Sequence, residues 1–253
     1  MMEREKENSK FEIRAATVRE RFYNSYSSHS SHSRQRGVPA VVCLAATAVF
    51  LAGNAFALEP REIKAAADKA GNWLIEQFDL KEKVFGKGEQ AKDVETVAMC
   101  VTALCNHPRD YKETSGPFIS EPVKYILSQI NEDGTLKGDK LSQVAYTWVI
   151  VALTATKNEA YTQFEHKCLA GRNRSLGPAS CTPDFIIARV RCLVGCQKLM
   201  HDHGIELPLD TPKHENATAL LKLQDKDGSF DADVKKTAMA LGWLNFCYNP
   251  GKR

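Results

Sequence analysis

The chain has 253 residues, of which 43% are hydrophobic and 26% charged, a composition that suits one large globular domain or two small ones. Its net charge of +3 comes entirely from residues 1–37, which carry eight basic and five acidic side chains. Residues 58–253 hold 26 of each sign and are net neutral. A neutral body creates no long-range field for a phosphate backbone, so we expect no nucleic-acid partner.

Residues 1–57 predict a leader rather than a folded domain. Their first part is polar, rich in serine and without a sustained apolar period. An uncharged run follows at 38–57, where the small residues Ala55 and Ala57 suit signal-peptide cleavage. We expect cleavage after Ala57 and export to the periplasm or the extracellular space, leaving 58–253 as a soluble domain. The alternative is a membrane anchor at 38–57, because the run is close to the shortest that spans a bilayer.

The mature sequence contains three copies of a helical hairpin that align on a glutamine. The glutamines are Gln77, Gln129 and Gln224, and each follows a large apolar residue by four positions and an aliphatic residue by three. This spacing places the apolar residues on one helix face. After the glutamine the chain breaks, and Asp133-Gly134 and Asp227-Gly228 predict turns in the second and third copies.

A second helix follows each turn. These helices begin around Asp93, Ser142 and Asp231, whose side chains all suit a helix N-cap. Between the second and third copies, 182–200 predicts a further helix with proline in its first turn and Gly204 as its stop. Residues 171–178 are interpreted as a loop before it. At ordinary helix and loop lengths the mature chain has room for roughly seven to nine helices, which predicts an all-α fold of repeated helical hairpins.

The third copy resembles the repeat of the squalene-hopene cyclase and protein prenyltransferase β-subunit superfamily, known as the QW motif. Leu220-Leu-Lys-Leu-Gln224-Asp-Lys-Asp-Gly228-Ser-Phe230 has Phe where the motif has Trp, and 125–136 and 73–85 are weaker matches. The resemblance implies an α/α toroid around an apolar cavity. Because the family's ring needs more helices than this chain supplies, we expect a partial toroid, or one completed by a second copy in a homodimer.

The resemblance also implies a function. We expect an exported protein that binds an apolar ligand or a protein partner. The alternative is an active enzyme of the same fold, either a terpene cyclase-like catalyst or a polysaccharide lyase. For the cyclase, Asp231 and Asp233 are the candidate catalytic acids, although the family's D-x-D-D motif is reduced here to Asp-Ala-Asp. The competing interpretation is that these carboxylates cap a helix. The D-x-C zinc motif of the prenyltransferases is not found.

Two further groups of residues are candidates for binding. Four aromatic side chains could line the implied cavity and stabilise a carbocation, or could simply be core. They are Trp73, Tyr125, Trp148 and Trp243. Two cysteines one helical turn apart, followed by two histidines, could provide four zinc ligands, or could be buried thiols beside exposed histidines. They are Cys192, Cys196, His201 and His203.

The mature chain has seven cysteines, an odd number. Export to an oxidising compartment would allow disulfides, and Cys168 with Cys181 is the first pairing to test. Apart from a zinc ion at the candidate cysteine and histidine ligands, the sequence indicates no particular cofactor.

Overall fold

The computed structural model describes residues 59–138, 142–176, 184–208 and 211–248. These residues form eight α-helices and one short antiparallel β-hairpin, which confirms the predicted all-α fold. The helices are α1 (Pro60–Glu76), α2 (Val94–Cys105), α3 (Pro117–Ser128), α4 (Gln143–Thr156), α5 (Thr162–Leu176), α6 (Asp184–Asp202), α7 (Lys213–Leu221) and α8 (Val234–Tyr248). The strands are β1 (Phe78–Asp79) and β2 (Val84–Phe85).

By its internal contacts the chain divides into two units. The first is Met1–Leu58 with Pro208–Thr211, and the second is Glu59–Leu207 with Pro212–Arg253. All eight helices belong to the second unit. Within the described ranges, none of the helices is both long and apolar enough to cross a membrane. The predicted leader, its cleavage site and the alternative anchor lie outside the described residues.

The helices begin where the sequence supplies caps. The Asp93 carboxylate accepts hydrogen bonds from two backbone N–H groups in the first turn of α2, and the Ser142 hydroxyl accepts one in the first turn of α4, as predicted. The third predicted start was placed two residues too early. Asp233, not Asp231, accepts a hydrogen bond from the backbone N–H of Lys236 at 2.8 Å and caps α8.

The even-numbered helices contact one another in a closed cycle. Helix α2 packs against α4, α4 against α6, α6 against α8, and α8 against α2. The odd-numbered helices pack against this set, with α1 on α8, α3 on α2, α5 on α4, and α7 on both α6 and α8. The first and last helices of the described chain are therefore direct neighbours.

The second and third turns are built alike. In the second, the N–H of Asn131 donates to the carbonyl of Thr135 at 2.8 Å. In the third, the N–H of Asp225 donates to the carbonyl of Ser229 at 2.9 Å. This match aligns Ile130, not Gln129, with Gln224. The predicted alignment of these two copies on their glutamines is therefore wrong by one residue.

Both Asp-Gly turns lie in close contact with the backbone of an odd-numbered helix. A Cβ atom added to Gly134 would lie 1.9 Å from the carbonyl oxygen of Lys167 in α5, and one added to Gly228 would lie 2.5 Å from that of Lys69 in α1. The Gln224 side chain also donates to the carbonyl of Ala66 in α1 at 2.9 Å. The third turn is thus fixed to the first helix.

The region between the second and third copies is more helical than predicted. Residues 171–176, interpreted as part of a loop, are the last residues of α5. Gly171 is helical, and its missing side chain lets the turn approach, since an added Cβ would lie 2.2 Å from the carbonyl oxygen of Gly134. Helix α6 ends close to its predicted position, where Gly204 adopts a left-handed φ of 74°.

Candidate functional site

The structure brings together two residues that the sequence assigned to different sites. His203 follows the end of α6, and Asp231 precedes the start of α8. The Nε2 atom of His203 lies 2.7 Å from Oδ1 of Asp231, a hydrogen-bonding distance. The ammonium group of Lys236 donates to the other carboxylate oxygen, Oδ2. We call these three residues the His–Asp–Lys cluster.

The backbone of the cluster is held in an unfavourable conformation. Asp231 and Ala232 have φ angles of 56° and 48°, two consecutive left-handed residues that are not glycine. Each such residue costs about 1–2 kcal/mol, a cost usually met where the surrounding structure dictates the conformation. Here the turn must pass from the buried Phe230 to the Asp233 cap within three residues. The two charge-assisted bonds of Asp231 help to hold it.

The carboxylate of Asp231 is kept ionised. The hydrogen bond from Lys236 is the largest influence and lowers its pKa below the usual 3.8; burial opposes this effect, and the weaker contribution of the His203 hydrogen bond lowers the pKa further. The His203 and Asp231 side chains are 42% and 27% exposed, so the cluster faces solvent. If Nε2 carries the proton donated to Asp231, the free Nδ1 can act as a proton acceptor. The cluster is therefore suited to accepting a proton and unsuited to donating one from Asp231.

The second candidate acid, Asp233, has a different role. Its carboxylate accepts the backbone N–H of Lys236 as the cap of α8. Helix capping was the alternative role considered for Asp231 and Asp233, and of the two only Asp233 caps a helix. Asp231 and Asp233 thus do not form a matched acid pair.

The four zinc candidates are not brought together as a ligand set. Cys192 and Cys196 are 5% and 1% exposed and face α8, where the Cys192 sulfur lies within 2.8 Å of a Cβ atom added to Gly242. His203 instead pairs with Asp231, and the exposed His201 lies 3.9 Å from Glu206. Across the described ranges, no three His, Cys, Asp or Glu side chains are placed to bind a metal ion.

The cysteines that the structure describes are free thiols. Burial raises the pKa of Cys168 and of Cys192 to about 12, and raises that of Cys196 well above its usual value. Such thiols are unreactive at neutral pH. Cys181, the predicted partner of Cys168, lies outside the described residues.

The aromatic candidates are distributed over the helix interfaces. Trp73, Trp148 and Trp243 are 6%, 3% and 2% exposed and belong to the core of α1, α4 and α8. Tyr125 is partly exposed, and its hydroxyl donates to the backbone carbonyl of Lys92. None of the three tryptophans presents an open face that would mark a cavity wall.

Two polar clusters, each with a buried member, were not predicted from the sequence. Arg172, 4% exposed, pairs with Asp184 at the start of α6, and the hydroxyl of Thr147 donates to the same carboxylate at 3.3 Å. These contacts join α4, α5 and α6. Their partners are 12 and 37 residues apart, so no local spacing signals them.

The second unpredicted cluster joins α1 to the segment after α2. The fully buried His107 lies 3.5 Å from Asp68, and the Nε of Arg109 lies 3.1 Å from the same carboxylate oxygen. Burial lowers the pKa of His107 more than the nearby Asp68 raises it. His107 is therefore neutral at neutral pH and takes part in packing.

Comparison with protein-family models, with curated proteins and with solved structures finds no match to the chain.

Proposed function

We propose that the protein is an exported helical-repeat binding module that recognises a protein partner through its outer surface. In this proposal its four hairpins form a small α/α toroid of the terpenoid cyclase and prenyltransferase type. Export is inferred from the apolar run at 38–57 and the cleavage sequence that ends it. Recognition by the outside, and not by a central cavity, rests on one observation, the burial of α2 and of the tryptophans of α4 and α8.

Helix α2 leaves no open face toward a ligand. Every residue of α2 from Thr96 to Cys105 is buried, so this helix is covered on all sides. Trp148 and Trp243, the cavity candidates on the inner helices, are 3% and 2% exposed. A side chain that lines a cavity wide enough for a terpenoid would keep accessible surface on that side. Side chains filling the interior favour a module that binds on its outside.

Specific contacts between α8 and the first hairpin support the toroid. The side chain of Asn245 in α8 donates to the carbonyl of Ala103 in α2 at 2.8 Å. Lys235 at the start of α8 pairs with Glu95 in the first turn of α2 at 2.7 Å. With the bond from Gln224 to Ala66, these contacts link the last repeat to the first within one chain. The ring then needs no second copy to complete it.

The cyclase alternative receives no support from Asp231. An acid that protonates an alkene must carry its proton until the substrate binds, which requires a raised pKa. Lys236 and His203 instead lower the pKa of Asp231. The cluster also faces solvent, where a carbocation would be quenched by water.

Tryptophan fluorescence tests the filled interior directly. The chain has three tryptophans, and all three are buried. We expect iodide to quench their emission weakly, and the apolar dye anilinonaphthalene sulfonate to gain little fluorescence on mixing. The Leu80→Trp variant is the matched control, because Leu80 is 66% exposed and should add a strongly quenched component. Strong quenching of the natural tryptophans together with bright dye binding would contradict the proposal and favour an apolar-ligand cavity.

A further inference from the structure

We propose that His107 is an acid-sensitive switch, whose protonation releases the segment after α2 from α1 while the helices stay folded. The segment comprises residues 107–111, and we call it the connecting segment. It follows the end of α2 at Cys105 and precedes α3. The switch does not depend on the proposed binding function, because it rests only on His107 and the groups around it.

The fully buried His107 ring is held in its neutral form by a hydrogen bond to one of its nitrogens. The backbone N–H of Arg109 donates to Nδ1 at 3.1 Å. A ring nitrogen that accepts a hydrogen bond carries no proton, so Nε2 carries the single proton of the neutral ring. Nε2 lies 3.5 Å from Asp68, and an added Cβ at Gly71 would lie 3.2 Å from it. The neutral ring therefore fits this site in one tautomer.

A second proton on His107 disrupts this arrangement. It binds at Nδ1, where it meets the N–H of Arg109, so two donors face each other and the hydrogen bond is lost. It also places a positive charge in a buried site. Asp68 attracts that charge, but its carboxylate is already shared by Arg109 at 3.1 Å and by Lys64 at 2.8 Å. The protonated ring is thus better accommodated in water than in the closed structure.

The charged groups around His107 act in both directions. Burial lowers its pKa and is the largest influence. The carbonyl of Ala67 and the carboxylate of Asp68 raise the pKa, whereas the charges of Arg109 and Lys64 lower it further. The net direction is downward, which agrees with the loss of the hydrogen bond at Nδ1.

Other contacts of the connecting segment with α1 are weaker than the buried ring. Arg109 pairs with Asp68 and donates to the side chain of Asn72 at 3.1 Å, but its own side chain is 44% exposed, and exposed ion pairs contribute little. The Tyr111 ring packs on the His107 ring itself, with 5.2 Å between ring centres. When His107 leaves, Tyr111 loses this neighbour as well. The segment can therefore separate from α1 as a unit.

Acid is the signal that opens the connecting segment. In the open form water surrounds His107, so its pKa returns toward the ordinary 6.5, above that of the closed form. As the pH falls, the open form binds the proton first, and its population should grow by up to about tenfold per pH unit until the lowered pKa is reached. At neutral pH both forms are largely uncharged and the segment stays closed.

Amide hydrogen exchange of the full chain, read residue by residue in ¹⁵N spectra between about pH 7.5 and 5, tests the switch. After correction for the intrinsic exchange rate, protection of the Arg109 amide should fall by up to about tenfold per pH unit below 6.5. In low urea its exchange should stay constant, because the opening exposes little surface, whereas exchange at the buried Val101 of α2 should accelerate. Equal protection and equal urea dependence at Arg109 and Val101 would overturn the inference, since only global unfolding would then expose the segment.

Two matched variants assign the pH dependence to His107. The carbonyl oxygen of the new side chain in His107→Gln can accept the Arg109 N–H and does not titrate, so protection of this amide should no longer depend on pH. His166→Gln removes an exposed histidine of α5 and should leave the pH dependence unchanged within about twofold. The same pH dependence in His107→Gln as in the natural chain would overturn the inference.

A spectrum of the natural chain tests the switch without any substitution, and so decides the matter if His107→Gln does not fold. Long-range ¹H–¹⁵N correlations of the imidazole at about pH 7.5 should show the proton of His107 on Nε2 and none on Nδ1. A proton on Nδ1 at this pH would overturn the inference, because the hydrogen bond from Arg109 would then be absent in the closed form.

Discussion

Replacing Gly228 with alanine tests the contact that fixes the last repeat to the first helix. Gly228 has a φ of +98°, and an added Cβ would lie 2.5 Å from the carbonyl oxygen and 2.6 Å from the carbonyl carbon of Lys69. These are backbone atoms of α1, so they cannot rotate away as a side chain can. The substitution therefore combines an unfavourable φ with a collision between the turn and the helix.

Gly88 separates these two effects. Its φ is +80°, close to that of Gly228, but an added Cβ would meet no atom within 4 Å. Gly88→Ala should therefore lose only the conformational part, about 1–2 kcal/mol. Gly228→Ala should lose a further amount of about 1–3 kcal/mol, because the turn and α1 must move apart.

The free energy of unfolding from urea denaturation, followed by circular dichroism, measures both variants. The slope of the transition should stay the same, so that the shift of its midpoint reports stability. An equal loss of unfolding free energy in Gly88→Ala and Gly228→Ala would refute the reasoning, because the close contact between the turn and α1 would then add nothing to the cost of the substitution. Gln224→Ala gives an independent reading of the same contact and should lose about 1–2 kcal/mol.

Three other perturbations have defined outcomes. Burial lowers the pKa of His107 below 6.5 in the folded chain. As the pH drops, the unfolded chain therefore binds a proton at this residue before the folded chain does, and the free energy of unfolding should fall below about pH 6.5. His107→Gln should remove this part of the slope, at most about 1.4 kcal/mol per pH unit in urea titrations, and an unchanged slope would contradict it. Asp231→Asn should lose about 0.5–1 kcal/mol near neutral pH, and the difference from the natural chain should shrink as the pH falls below about 4 and vanish only below the lowered pKa of the native carboxylate, which stabilises only while it is ionised. Iodoacetamide near neutral pH should leave Cys192 and Cys196 unmodified in peptide maps of the native chain and modify both after unfolding, whereas rapid native labelling would show that these thiols are not buried.

Local sequence patterns predicted the helices well, because apolar period and capping residues are local properties. Asp93 and Ser142 were identified as caps and cap their helices. Asp231 was misplaced as a cap because two residues with left-handed φ move the helix start to Asp233, and neither residue is a glycine that would have signalled the turn. Gly171 was read as a loop residue, but its small size serves a backbone contact with a distant turn.

The candidate site depended on contacts that no spacing reveals. His203 and Asp231 are 28 residues apart and were assigned to a zinc site and to an acid pair. Only the packing of α6 against α8 shows that they meet each other. The glutamine alignment failed for a similar reason. The hydrogen bonds of the turn define the equivalent residues, and Ile130 occupies the position that Gln224 holds in the third copy.

Native mass spectrometry of the purified chain tests the central claim most directly. The contacts of α8 with α1 and α2 link the last repeat to the first within one chain, and the burial of α2 and of the three tryptophans supports the proposed filled interior. We predict a monomer whose mass equals that of the polypeptide alone. A dimer that carries an additional apolar molecule would contradict the account, since both the closure within one chain and the filled interior would then be wrong.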